Sequence, residues 1–138
     1  MNKDTDDSFT NPVYYSDDAK ISAIENETIA VLGYGSQGHA QAQNLADSGL
    51  DVVVGLPEGS SSRQEVLDDG LNIETPSQAT AMADRIVLLV PDTVQPDLYE
   101  QIENNITPGN TLQFAHGFNI HYGQIEPPES VDVVMVAP

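Results

Sequence analysis

Apolar residues in this chain come in short runs, and between the runs they recur at helical spacing. The runs Thr28 to Leu32, Asp51 to Gly55, Arg85 to Val90, Thr111 to Ala115 and Val131 to Val136 are too short for buried helices and read as strands, with a weaker one at Leu71 to Ile73. Between them the spacing predicts helices over Ser36 to Ser48, Ser61 to Asp69, Ser77 to Ala83 and about Gln95 to Asn104. This alternation predicts right-handed βαβ units, hence an α/β fold of the Rossmann type: one domain built on a doubly wound parallel sheet. The continuously apolar segments Val52 to Val54, Ile86 to Val90 and Val133 to Val136 predict strands covered on both faces. Within the helix 36–48, Gly38, Ala42, Leu45 and Ala46 share a face with almost no bulk, so that helix can lie close on the sheet, and Gly49 supplies a left-handed stop.

The first strand runs straight into Gly33-Tyr34-Gly35-Ser36-Gln37-Gly38, a G-x-G-x-x-G. In a dinucleotide site the first glycine permits the tight turn, the second lets the backbone approach a pyrophosphate, and the third lets the helix pack closely. The phosphates then sit on the free N–H groups at the start of the helix. The competing explanation is a glycine-rich structural turn. The loop after the second strand meets the adenosine ribose in such a fold, and Glu58 stands about twenty residues past Gly38, where an acidic residue favours NAD. That same loop carries Ser60, Ser61, Ser62 and Arg63, hydroxyls and a guanidinium suited to a 2′-phosphate. NADP(H) is therefore the expected cofactor, with Glu58 turned to solvent. One of the serines could instead cap the following helix.

Composition sharpens this picture. The 138 residues amount to one domain, short for an enzyme that holds both a dinucleotide and a separate substrate. With 22 Asp+Glu against 4 Lys+Arg, the net charge of -18 disfavours nucleic acid and anionic membranes as partners. A salt-rich cytoplasm is the simplest setting for such a surface, because molar salt shortens the Debye length to ~3 Å; an acidic mesophilic protein is the alternative. There is no cysteine, so disulfides and thiol chemistry are excluded. No apolar stretch approaches the ~20 residues of a membrane span, and the acidic start lacks the basic and apolar regions of a signal peptide, so a cytoplasmic location is the default expectation. Residues 1–12 read as a disordered acidic leader ahead of a domain at 13–138.

Two later segments are more specific. These are Leu89-Val90-Pro91-Asp92-Thr93-Val94-Gln95 and Phe114-Ala115-His116-Gly117-Phe118-Asn119-Ile120, the latter followed by Val131 to Pro138. Together with Val13-Tyr14-Tyr15 and the glycine motif, they closely resemble the N-terminal domain of ketol-acid reductoisomerases, over about Val13 to Pro138, and the acidity is similar to that of haloarchaeal members. The resemblance implies binding of 2-acetolactate or 2-aceto-2-hydroxybutyrate, alkyl migration with Mg²⁺, and reduction by NADPH to 2,3-dihydroxy acids in branched-chain amino-acid synthesis. It implies His116 at the active-site edge, Gly117 passing close to the nicotinamide, and Leu89, Val90, Pro91, Asp92 and Gln95 along the cofactor crevice with Gly33, Tyr34, Gly35, Ser36, Gln37 and Gly38. On their own, His116 could be a buried histidine and Asp92 a helix cap. His39 and His121 read as structural.

The family commonly has an arginine where Pro57 stands, which leaves Arg63 as the candidate to replace that phosphate contact. Its Asp and Glu metal ligands lie in a helical domain beyond a Lys-x-Pro-Gly segment, so no metal ligand is carried over here. The chain alone is expected to be the inactive cofactor half of an enzyme, completed by a C-terminal half or within a homo-oligomer; the alternative is a stand-alone NADP-binding module without catalysis. The charge carries a consequence that holds for either reading. The thermal midpoint of the chain is expected to rise from low to molar salt, and a midpoint that stays level would contradict the halophilic assignment.

Overall fold

The structure, a computed structural model, describes residues 12–138, so the acidic leader lies almost wholly outside the described residues. The elements are β1 (Thr28–Leu32), α1 (Ser36–Asp47), β2 (Asp51–Gly55), α2 (Arg63–Asp68), β3 (Asn72–Glu74), α3 (Pro76–Met82), β4 (Arg85–Leu88), α4 (Gln95–Ile102), β5 (Thr111–Phe114), α5 (Phe118–His121) and β6 (Asp132–Met135). Short 3₁₀ turns stand at Ser16–Asp18, Ile21–Ala23 and Glu103–Asn105. Each expected strand and helix is present, with ends shifted by a few residues. The single-turn α5 was not foreseen, because four residues are too few for a periodicity.

All strands are parallel in the order β3-β2-β1-β4-β5-β6. This is the doubly wound order, in which the chain switches direction between β1 and β4. The register aligns Gly55, Leu32, Leu88, Phe114 and Met135 in one row across the carboxyl ends of five strands. The residues that follow each strand therefore emerge side by side along one edge, and that edge carries the candidate site.

Side chains alternate between two cores. Ala30 and Leu32 of β1 join Ile86, Leu88, Leu112, Phe114, Tyr99 and Ile102 under α3 and α4. Ile29 and Val31 join Val52, Val54, Val66, Val87 and Ala42 under α1 and α2. The central strands are covered on both faces as expected, but β6 is not: it lies at the sheet edge, and Val133, Met135 and Val136 are 43%, 60% and 52% exposed. The four-residue α5 beside it is too short to cover a strand.

The glycines fix how closely these layers approach. Gly33 adopts φ +109°, and a Cβ there would press on the Leu89 carbonyl carbon and Val90 Cγ1, both at 3.0 Å. A Cβ on Gly38 would collide with the Gly33 carbonyl, so α1 can follow β1 this tightly only without a side chain there. Gly55 plays the same part for α3, since a Cβ would run into Leu32 Cδ2 and the backbone of Pro76. Gly49 is left-handed at φ +86°, as the expected helix stop requires.

On the other face a polar latch joins α1 to α2. The Tyr34 hydroxyl donates to Asp69 Oδ2 at 2.6 Å, and His39 Nε2 stands 3.3 Å from the same oxygen and 3.6 Å from Glu65 Oε1. The Tyr34 and His39 rings meet edge to face. Burial raises the Tyr34 phenol pKa well above its ordinary value, and the bond to Asp69 adds to the shift.

Two outcomes follow for stability. Gly55→Ala is expected to cost about 1–3 kcal/mol, because the added methyl overpacks the β2–α3 contact; an unchanged denaturant midpoint would contradict it. Because the folded-state phenol titrates above the unfolded one, stability conferred by neutral Tyr34 is complete below pH ~10 and is lost as pH climbs toward the raised value. Tyr34→Phe should therefore lose about 0.5–1.5 kcal/mol near neutrality yet show a shallower alkaline decline, the remainder coming from the similarly raised Tyr99. Denaturation curves at neutral and alkaline pH would reveal an unchanged slope if the latch were not neutral.

Candidate functional site

Where the chain switches direction, a cleft of about 490 Å³ opens above the row of strand ends. Gly35, Ser36 and Gln37 form its floor, Leu89 to Asp92 with Gln95 form one wall, and Ala115 with His116 form the other. A smaller hollow of about 120 Å³ lies on the β2 side, lined by Gly33, Gly55, Leu56, Pro57, Pro76 and Val90 among others. Val90 lines both spaces. Pro76, Val94 and Leu98 in this hollow had no sequence signal; only the fold brings α3 and α4 to it.

The floor is built to receive negative charge. Gly35 is the N-cap of α1 and offers no side chain to the free N–H groups, and none of the first-turn residues is acidic. In a chain with 22 acidic side chains this turn is left clear of them. Gly35 differs from the other two glycines of the motif. Its φ is an ordinary -73°, and nothing lies within 4 Å of where its Cβ would stand. Among the described residues no steric contact requires a glycine at that position.

His116 and Asp92 come from different loops and meet across the cleft, with Nδ1 3.1 Å from Oδ2. The Phe118 amide also points at Nδ1, at 3.3 Å. A single nitrogen cannot accept from the amide and donate to the carboxylate together, and the charged acceptor at the shorter distance decides for a proton on Nδ1. Asp92 thus does not cap α4, whose N-cap is Val94 with no side-chain bond; the carboxylate faces the histidine instead. His116 is exposed, at 67%, so it is not a buried structural histidine.

The loop after β2 lies beside the smaller hollow. Ser60, Ser61, Ser62 and Arg63 line neither space directly; they follow Leu56 and Pro57, which do. Arg63 Nη1 donates to the Leu56 carbonyl at 2.7 Å, which anchors the guanidinium over the loop. Among the described residues it makes no ion pair, whereas Arg85 is held by Glu27 at 2.8 Å. Glu58 is exposed. Ser62 is the N-cap of α2 without a side-chain cap bond, while Ser60 Oγ accepts from the Ser62 amide at 3.3 Å.

Besides Gly33 and the loop at 60–63, three expected site residues stand apart from the cleft. The Tyr34 side chain points away, into the latch with Asp69. Gly38 is buried behind the turn. Gly117 lines an apolar hollow with Phe118, Tyr122 and Met135, and a Cβ there would make only an ordinary contact with Met135 Sδ at 3.6 Å. No helix among the described residues is long and apolar enough to cross a membrane.

Comparison with known proteins agrees with this geometry. Residues 23–138 match the family described as acetohydroxy acid isomeroreductase, NADPH-binding domain. The chain is 64% identical over 132 residues to a ketol-acid reductoisomerase (NADP(+)) of Haloarcula marismortui, covering 96% of this chain and 38% of that protein. It is 55% identical over 127 residues to the corresponding protein of Clavibacter michiganensis, covering 91% of this chain and 37% of the relative. The chain thus spans less than two-fifths of the length of these relatives. Among solved structures, an NADH-preferring ketol-acid reductoisomerase from an uncultured archean superposes with a TM-score of 0.85 at 43% identity, over 89% of this chain and 39% of that one. The chain belongs to the ketol-acid (acetohydroxy acid) reductoisomerase family, and residues 23–138 are its N-terminal NADPH-binding domain.

Proposed function

We propose that this chain serves the cytoplasmic conversion of 2-acetolactate and 2-aceto-2-hydroxybutyrate to 2,3-dihydroxy acids, as the NADPH-holding part of a ketol-acid reductoisomerase. Gly35 carries the reading. Its ordinary backbone and open surroundings leave no steric need for glycine among the described residues, and a pyrophosphate lying on the start of α1 supplies one. The amides of Gly35 to Gly38 hold the phosphates, Gly33 and Tyr34 contribute through the turn's backbone, and Arg63 with Ser60, Ser61 and Ser62 hold the 2′-phosphate. The apolar hollow beside Leu56 and Pro57 takes the adenine. Leu89, Val90, Pro91 and Gln95 border the nicotinamide, with Gly117 in the adjoining hollow that shares Ala115 and His116 with the cleft.

NADPH, when bound, supplies hydride to a substrate carbonyl. The chain's own part is to orient that end and manage the accompanying proton. With Nδ1 bonded to Asp92, His116 is held in one orientation and keeps Nε2 for proton exchange with the nascent alkoxide oxygen. The cleft does not fit the Mg²⁺ chemistry of the family. Asp92 is the one carboxylate lining it among the described residues, and it is engaged by His116. The alkyl migration is accordingly assigned to metal ligands outside this cleft.

The cofactor preference rests on Arg63, the described cation beside the ribose hollow that no carboxylate neutralises. One charge-assisted contact contributes about 1.5–3 kcal/mol, so NADPH should bind roughly ten- to a hundredfold more tightly than NADH, and Arg63→Ala should erase most of that difference. Calorimetric titration with both cofactors checks it, and equal affinities would contradict it. Gly35→Val should abolish binding of both while leaving the thermal midpoint nearly unchanged, since its Cβ meets nothing in the chain. Retained affinity would refute the phosphate turn.

A further inference from the structure

Asn119 and Gln95 are buried, at 1% and 3% exposure, where an amide is tolerated only if its hydrogen bonds are made. Both N–H groups of the Asn119 amide are used: one donates to the Asp92 carbonyl at 3.0 Å, the other to Gln95 Oε1 at 2.9 Å. Gln95 Nε2 in turn donates to the Val90 carbonyl at 3.0 Å. Asn119 itself is pinned, because its carbonyl accepts from the amides of Gln124 and Ile125, and Ile125 is seated in the core. The Asn119 side chain on α5 thus grips the segment after β4 at two points directly and, through Gln95, at a third.

Those two segments are the opposing walls of the cleft, and each brings one member of the Asp92–His116 pair. Asn119 does not line the cleft. We infer that Asn119 is a positioning residue for the nicotinamide end of the site: it fixes the separation of the two walls and holds Asp92 against His116. The inference rests on the cofactor reading above. Its scope is set by geometry, since the phosphate turn at 33–38 and the loop at 56–63 make no bond to Asn119.

The adenosine half of the ligand should therefore be indifferent to Asn119. Asn119→Asp keeps the shape and replaces Nδ2, the donor in both bonds, by an oxygen that faces the Asp92 carbonyl and Gln95 Oε1. With two hydrogen bonds lost, the Kd for NADPH is expected to rise about tenfold or more, and that for 2′-phospho-ADP-ribose, which lacks the nicotinamide, to stay within about twofold. The His116 imidazole NMR signals should move in the free protein, because the Asp92 contact relaxes. If Asn119→Asp does not fold, Asn119→Ser removes both bonds without adding a charge, with the same expectation. Equal weakening of both ligands would mean a purely structural residue and overturn the inference, as would NADPH affinity and His116 signals that stay put. Should the unsubstituted chain bind neither ligand, the cofactor reading fails, and the His116 signals alone still decide whether Asn119 holds the pair.

Discussion

The molecule turns on an approach that leaves no room for a side chain: the start of α1 presses against the carbonyl of Gly33, and only the missing Cβ of Gly38 allows it. That contact sets the helix N-terminus directly above the end of β1. Because the register puts Gly55, Leu32, Leu88, Phe114 and Met135 in one row, every loop that leaves this edge is measured from the same place. Gly55 extends the constraint to α3. The cleft is what remains when those layers close as far as the glycines allow.

Electrostatics then selects what the cleft can take. A chain of net charge -18 repels anions at long range, yet the first turn of α1 carries no acidic residue and Arg63 is unpaired among the described residues. Salt screens the distant carboxylates over a few ångströms while leaving direct contacts nearly intact. An acidic protein in a salt-rich medium can thus hold a polyphosphate, provided the local donors are kept free of its own carboxylates. Of the acidic residues at the site, Asp92 is turned to His116, Glu58 is exposed, and Asp97 lines the smaller hollow but not the cleft.

Much of this was legible in the sequence, because the relevant forces are local. The βαβ alternation, the glycine turn and the apolar central strands depend on periodicity and on backbone freedom, which a single sequence displays. The exposure of β6 was not legible: Val133 to Val136 read as a covered strand, and whether a strand lies at an edge is a property of the topology. Tyr34 belonged to the glycine motif by position, but its side chain serves the α1–α2 latch, since successive residues at the end of a strand face opposite sides. The Asp92–His116 pair and the Asn119 amide join residues 24 and 27 positions apart, through contacts that no spacing rule encodes.

The central claim is that the row of strand ends presents NADPH with its phosphates on the turn 33–38 and its nicotinamide beside the Asp92–His116 pair. Amide chemical-shift mapping by NMR during an NADPH titration tests this directly. The account predicts the largest, saturable shifts at Gly35 to His39, with further shifts in the loops at 56–63, 89–95 and 115–117 and little change at the opposite strand ends near Thr28, Arg85 and Thr111. Shifts confined to that opposite edge, or spread evenly over the surface without saturation, would contradict it.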